Sequence, residues 1–103
     1  MRVGLCDSGL GGIAILKEVR KRYPNNDYVY IGDNKNLPYG NKSKDELIDL
    51  GQSLIDFLEN KNVDIIIVAC GTLSSNIMND IKSNVKVLDI LTPTIDYINN
   101  YIK

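Results

Sequence analysis

Ile65-Ile66-Ile67-Val68-Ala69-Cys70-Gly71-Thr72-Leu73-Ser74-Ser75, written IIIVACGTLSS, decides how the rest of the chain is read. Its first half is an unbroken apolar run rich in β-branched residues, far short of a membrane span and of the length expected for a strand buried on both faces. Such strands belong to parallel sheets covered by helices, in which ligand-binding loops follow the carboxyl ends of the strands. Its second half has the makings of such a loop, a thiol followed by a glycine and a cluster of small hydroxyl side chains.

Working outward, Val63 to Cys70 becomes the third of four predicted strands, the others being Arg2 to Cys6, Asp27 to Ile31 and Lys86 to Ile90. Ile13, Leu16, Val19 and Tyr23 recur at helical spacing between the first two and stop at Pro24-Asn25-Asn26. A second helix is predicted where Ser43 and Glu46 have capping-box spacing and Leu47, Leu50, Leu54, Ile55 and Leu58 form an apolar stripe. Ser74 or Ser75 is expected to cap a third helix carrying Ile77, Met78 and Ile81. Thr92-Pro93 is expected to open a fourth through Ile95, Ile98 and Ile102. The order βαβαβαβα predicts a single α/β domain over residues 1–103, with a four-stranded parallel sheet in a flavodoxin-like three-layer α/β/α arrangement.

Composition narrows the partners. In 103 residues, 12 Lys and Arg balance 13 Asp and Glu for a net charge of -1, so the chain has no basic stripe for nucleic acid. Two cysteines without a histidine make neither a disulfide framework nor a four-ligand metal site. Both are read as reduced thiols, and with no membrane span or leader in view the expectation is a cytoplasmic protein.

Three loops then follow strand ends. Asp7-Ser8-Gly9-Leu10-Gly11-Gly12 (DSGLGG) lets the backbone approach a ligand at a helix N-terminus, or is a turn whose Asp7 or Ser8 caps that helix. The loop from Gly32 to Lys42 is too long for a plain connector. Its Pro38-Tyr39-Gly40 either presents the tyrosine on a rigid turn or packs it onto the domain. Cys70 is either a small core hydrophobe or a thiol at the N-terminus of a helix, the setting that favours thiolate. Cys6, inside the first strand, is read as core. A phosphatase-type Cys-x5-Arg loop would need arginine where Asn76 stands.

Taken together, DSGLGG (7–12), PYGNK (38–42) and ACGT (69–72), in this order, resemble the glutamate racemase family over essentially the whole chain. They are less similar to the wider aspartate and hydantoin racemase group. The resemblance implies two similar α/β lobes enclosing D- or L-glutamate, with no pyridoxal phosphate or other cofactor. A cysteine pair then does the work, one thiolate removing the α-proton from one face while the other thiol donates on the opposite face. It further implies that Cys70 is the cysteine of the first lobe and that Asp7 is the acidic group beside it and the substrate ammonium. Ser8, Pro38, Tyr39, Gly40, Gly71 and Thr72 would be the substrate-binding set. The implied role is supply of D-glutamate for peptidoglycan, and so for cell-wall biogenesis and cell shape.

Two departures shape the expectation. Gly71 stands where the family has asparagine, and nothing matches the family's second cysteine in its Cys-Thr-His motif. The chain is therefore expected to be a truncated or isolated first lobe, inactive as a monomer, with residues 93–103 forming a helix at the truncation point. Ile95, Tyr97, Ile98, Tyr101 and Ile102 of that helix are expected to drive homo-oligomerisation. Two further readings remain open. Paired copies could place one Cys70 on each side of a shared cleft, or the fold could serve as a non-enzymatic anion-binding module.

Overall fold

The computed structural model describes residues 1–9 and 11–89. Four strands, β1 (Arg2–Asp7), β2 (Asp27–Gly32), β3 (Ile65–Val68) and β4 (Lys86–Asp89), form one sheet in the order β2-β1-β3-β4. Every neighbouring pair is parallel, with Cys6 level with Ile31 on one side and Val68 on the other. Reversal of direction after β2 puts the first crossover helix, α1 (Ile13–Arg22), on one face and the second, α2 (Lys44–Asn60), on the other, as right-handed connections require.

Alternation along the strands feeds two cores. Val3, Leu5, Ile65 and Ile67 pack with Val19 of α1. Cys6, Ile66 and Val68 face the opposite way, onto Leu54, Ile55 and Leu58 of α2. The expected three-layer α/β/α lobe is what these two faces build. The cap predicted for α2 forms as a reciprocal pair: the Glu46 N–H donates to Ser43 Oγ at 3.2 Å and the Ser43 N–H to Glu46 Oε1 at 3.1 Å. Arg20, Lys21 and Arg22 in the last turn of α1 oppose its negative end before Pro24 stops it.

The third helix differs from its prediction. α3 runs Gly71–Asn76, with Cys70 at the N-cap position, so Ser74 and Ser75 lie inside it. Their hydroxyls turn backwards, Ser74 Oγ donating to the Val68 carbonyl at 3.3 Å and Ser75 Oγ to that of Gly71 at 2.8 Å. The cause is where β3 leaves the sheet. Ala69 N–H makes a last bond to the Cys6 carbonyl at 2.8 Å, and the chain coils at once afterwards. β3 is accordingly shorter than Val63 to Cys70. Ile77 follows the helix and does not ride on it, yet it is fully buried, with Met78 and Ile81 packed half-buried on the same core. The helix expected over 93–103, with its proposed self-association face, lies outside the described residues, as does Ile90 of the predicted fourth strand.

Candidate active site

The carboxyl ends of β1, β2 and β3 bring the three sequence loops together beside the point where the strand order reverses, between β1 and β3. Close backbone approach welds them. A Cβ on Gly32 would run into the carbonyl oxygen of Gly9, and one on Gly12 would come within 2.9 Å of the Ala69 Cβ. Asp33 N–H donates to the Asp7 carbonyl at 3.1 Å and Tyr30 Oη to the Gly9 carbonyl at 2.8 Å. No residue other than glycine fits at 32 without moving backbone.

Asp7, the last residue of β1, is 5% exposed, and its carboxylate is held by backbone donors. Oδ1 accepts the Ser8 N–H at 2.7 Å and Oδ2 the Gly12 N–H at 2.6 Å, at the entry to α1. The chain turns here as expected, but neither Asp7 nor Ser8 is the cap: Gly12 is the N-cap of α1 and has no side-chain cap bond, Asp7 holding the N–H of Gly12 itself. Ser8 connects Asp7 to the thiol. Cys70 is 4% exposed and its Sγ donates to Ser8 Oγ at 3.4 Å, which in turn stands 3.5 Å from Asp7 Oδ1. Carboxylate, hydroxyl and thiol make one chain through which a proton can be held or passed.

Cys6 is core, as expected, at 1% exposure. Burial, and then the charges of Cys70 and Asp7, push its thiol up to about 12. Tyr30 is likewise pushed up to about 12, by burial first and then by Asp7. Neither group ionises near neutrality.

Of the two placements open for Tyr39, the structure takes the inward one. Its ring is 2% exposed in the core cluster that contains Cys6 and Cys70, and its hydroxyl donates to Asp33 Oδ2 at 2.6 Å. The loop folds as two 3-10 turns, Asn34–Asn36 and Tyr39–Asn41, which leave Pro38 and Gly40 exposed while drawing the tyrosine under them. Gly71 is exposed at the first position of α3, with nothing within 4 Å of the place a Cβ would occupy. Thr72 is half-exposed one residue on. Asp33 was not singled out from sequence. Its position directly after β2, at the same sheet edge as Asp7 and Cys70, was the signal available.

Among the described residues no group of three or more His, Cys, Asp or Glu is placed to hold a metal ion, and no helix is long and apolar enough to cross a membrane.

Fold and site define a doubly wound α/β domain with a thiol, a hydroxyl and a carboxylate linked at its strand-order reversal. The chain is a homologue of the glutamate racemases. It is 43% identical over 95 residues to the enzyme of Aquifex pyrophilus, which spans 90% of this chain and 37% of that one. The structure of the Aquifex pyrophilus enzyme superposes with a TM-score of 0.88 at 38% identity, covering 100% of this chain and 42% of that chain. That of Francisella tularensis glutamate racemase in complex with D-glutamate gives 0.84 at 31% identity, covering 96% and 39%. That of the Escherichia coli enzyme in complex with L-glutamate and the activator UDP-MurNAc-ala gives 0.81 at 26%, covering 97% and 38%. The chain thus spans well under half the length of the relatives it matches. No family model matches it.

Proposed function

We propose that this chain furnishes one acid/base half of a glutamate racemase site, with Cys70 taking the α-proton from one enantiomer or returning it to the other. The observation that carries this reading is the Ser8 hydroxyl 3.4 Å from Cys70 Sγ, backed by the clamped Asp7 carboxylate. Inversion at the α-carbon needs a proton acceptor on one face and a donor on the other, and thiols titrate close enough to neutrality to be either. Asp7 is the partner for the substrate ammonium. Backbone N–H groups of Tyr39, Gly40, Gly71 and Thr72, with the Ser8 and Thr72 hydroxyls, are the donors for its carboxylates. Without a cofactor to take up the carbanion charge, such fixed donors carry that task.

Cys6 cannot be the second base, because burial keeps it protonated up to about pH 12. The opposing group is therefore supplied by a second α/β lobe or by Cys70 of a second copy of this chain. The product, D-glutamate, would enter peptidoglycan synthesis.

The test is alkylation of Cys70 by iodoacetamide with and without D- or L-glutamate, beside loss of the glutamate α-proton signal in D2O. Glutamate is expected to slow alkylation, and any exchange is expected to vanish in Cys70→Ala. Exchange that rises faster than linearly with protein concentration would mean that two copies share one site. Protection by phosphate equal to that by glutamate would point to a general anion site, and no protection by either enantiomer would sink the reading.

A further inference from the structure

Cys70 is 4% exposed, so small movements in the segments around it decide how readily a solute meets its thiol. The elements around it are unequal in this respect. β1, β3 and α2 are bound into the sheet and the cores, whereas the 34–42 segment is two single turns with Leu37 48% exposed and Pro38 and Gly40 in solvent. Segments with few buried contacts open at the lowest free-energy cost. This one contributes a single buried side chain to the core, Tyr39.

Besides the packing of its ring, one carboxylate fixes Tyr39. Asp33 Oδ2 accepts the Tyr39 hydroxyl at 2.6 Å, and the same carboxylate accepts Asn36 Nδ2 at 2.9 and 3.0 Å, so it ties down both turns. Its own backbone N–H is bonded to the carbonyl of Asp7, which anchors the tie to the floor of the site. Burial disfavours the charged Asp33, but the bonds from Tyr39 and Asn36 outweigh it and hold the carboxyl below the usual range. The Tyr39–Asp33 bond is therefore charge-assisted at neutral pH.

We infer that Asp33 is a positioning residue: by accepting the Tyr39 hydroxyl it keeps the 37–41 segment docked on the core cluster that Tyr39 shares with Cys70, and loss of that bond loosens the segment and opens the thiol to small polar molecules. The inference rests on the proposed function only in taking Cys70 as the thiol that matters; the geometry involves no substrate.

Iodoacetamide labelling of the full chain without glutamate, mapped by peptide mass, tests it. Tyr39→Phe keeps the ring in the core and removes only the donor, while Asp33→Ala removes the acceptor. Tyr39→Phe is expected to raise the Cys70 rate about tenfold and Asp33→Ala, which also releases Asn36, at least as much, with the double variant no faster than Asp33→Ala. Asp33→Asn, which keeps an acceptor oxygen, is expected to restore most of the slow rate. Cys6 is the internal control, unreactive if only the segment opens. A second measurement needs no substitution: the wild-type Lys42 amide, bonded to the Tyr39 carbonyl at 3.0 Å, should exchange with solvent far faster than the Leu5 amide in β1. Unchanged Cys70 reactivity in both single variants, or a Lys42 amide as protected as that of Leu5, overturns the inference. Glutamate protection without a variant effect would keep the function and discard the latch, and the converse result would keep the latch and discard the function.

Discussion

At the scale of single residues, two glycines show how differently one residue type is held. At Gly32 an added methyl meets the Gly9 backbone, which cannot yield without separating the loops that build the site. At Gly71 an added methyl meets nothing. Gly32→Ala is therefore expected to cost about 1–3 kcal/mol or more, and Gly71→Ala to stay within about 1 kcal/mol of wild type. Urea titrations at equal slope would measure both. The glycine at position 71 is thus not imposed by packing around its Cβ position. None of this was legible in the letters DSGLGG or ACGT. A glycine reads the same whether it is needed for a backbone contact from a distant loop or merely tolerated.

Among the elements, α2 and α3 mark the limits of local reading. Both cap and apolar stripe of α2 lie within a few residues of one another, so Ser43, Glu46 and the 47–58 stripe announced the helix, and the structure reproduces it. Ser43→Ala is expected to lower stability by about 1 kcal/mol, seen as a shift in the urea midpoint at constant slope. α3 carries hydroxyls that look like caps but are not. Its start is fixed by the point at which Ala69 makes its last bond to Cys6 and leaves the sheet, a pairing across 63 positions of chain. The apolar pattern was still informative. Ile77 is buried although the helix ends before it, because the core needs its side chain whatever the local backbone does.

For the molecule as a whole, the buried acids predict a stability profile. A cysteine in the unfolded chain gives up its proton near 9.0, but Cys6 in the fold holds it up to about 12. Tyr30 shifts the same way, from 10.0 to about 12. Between those values the unfolded state binds fewer protons than the folded one, so unfolding becomes easier as pH rises. This stabilisation is complete below pH 9 and is lost towards pH 12. Urea midpoints across that window are expected to fall steadily, and Cys6→Ala, though less stable at neutral pH, is expected to fall less steeply. The sequence by itself determined the alternation of strands and helices, the parallel sheet buried on both faces, the cap of α2 and three loops at the strand ends. These follow from periodicity, turn chemistry and residue runs written between near neighbours. The strand order β2-β1-β3-β4, the inward turn of Tyr39, the tie at Asp33 and the meeting of Ser8 with Cys70, 62 positions apart, were decided only by the tertiary structure. Crossover direction and core packing select which strand ends become neighbours, and no local pattern in the chain encodes that choice.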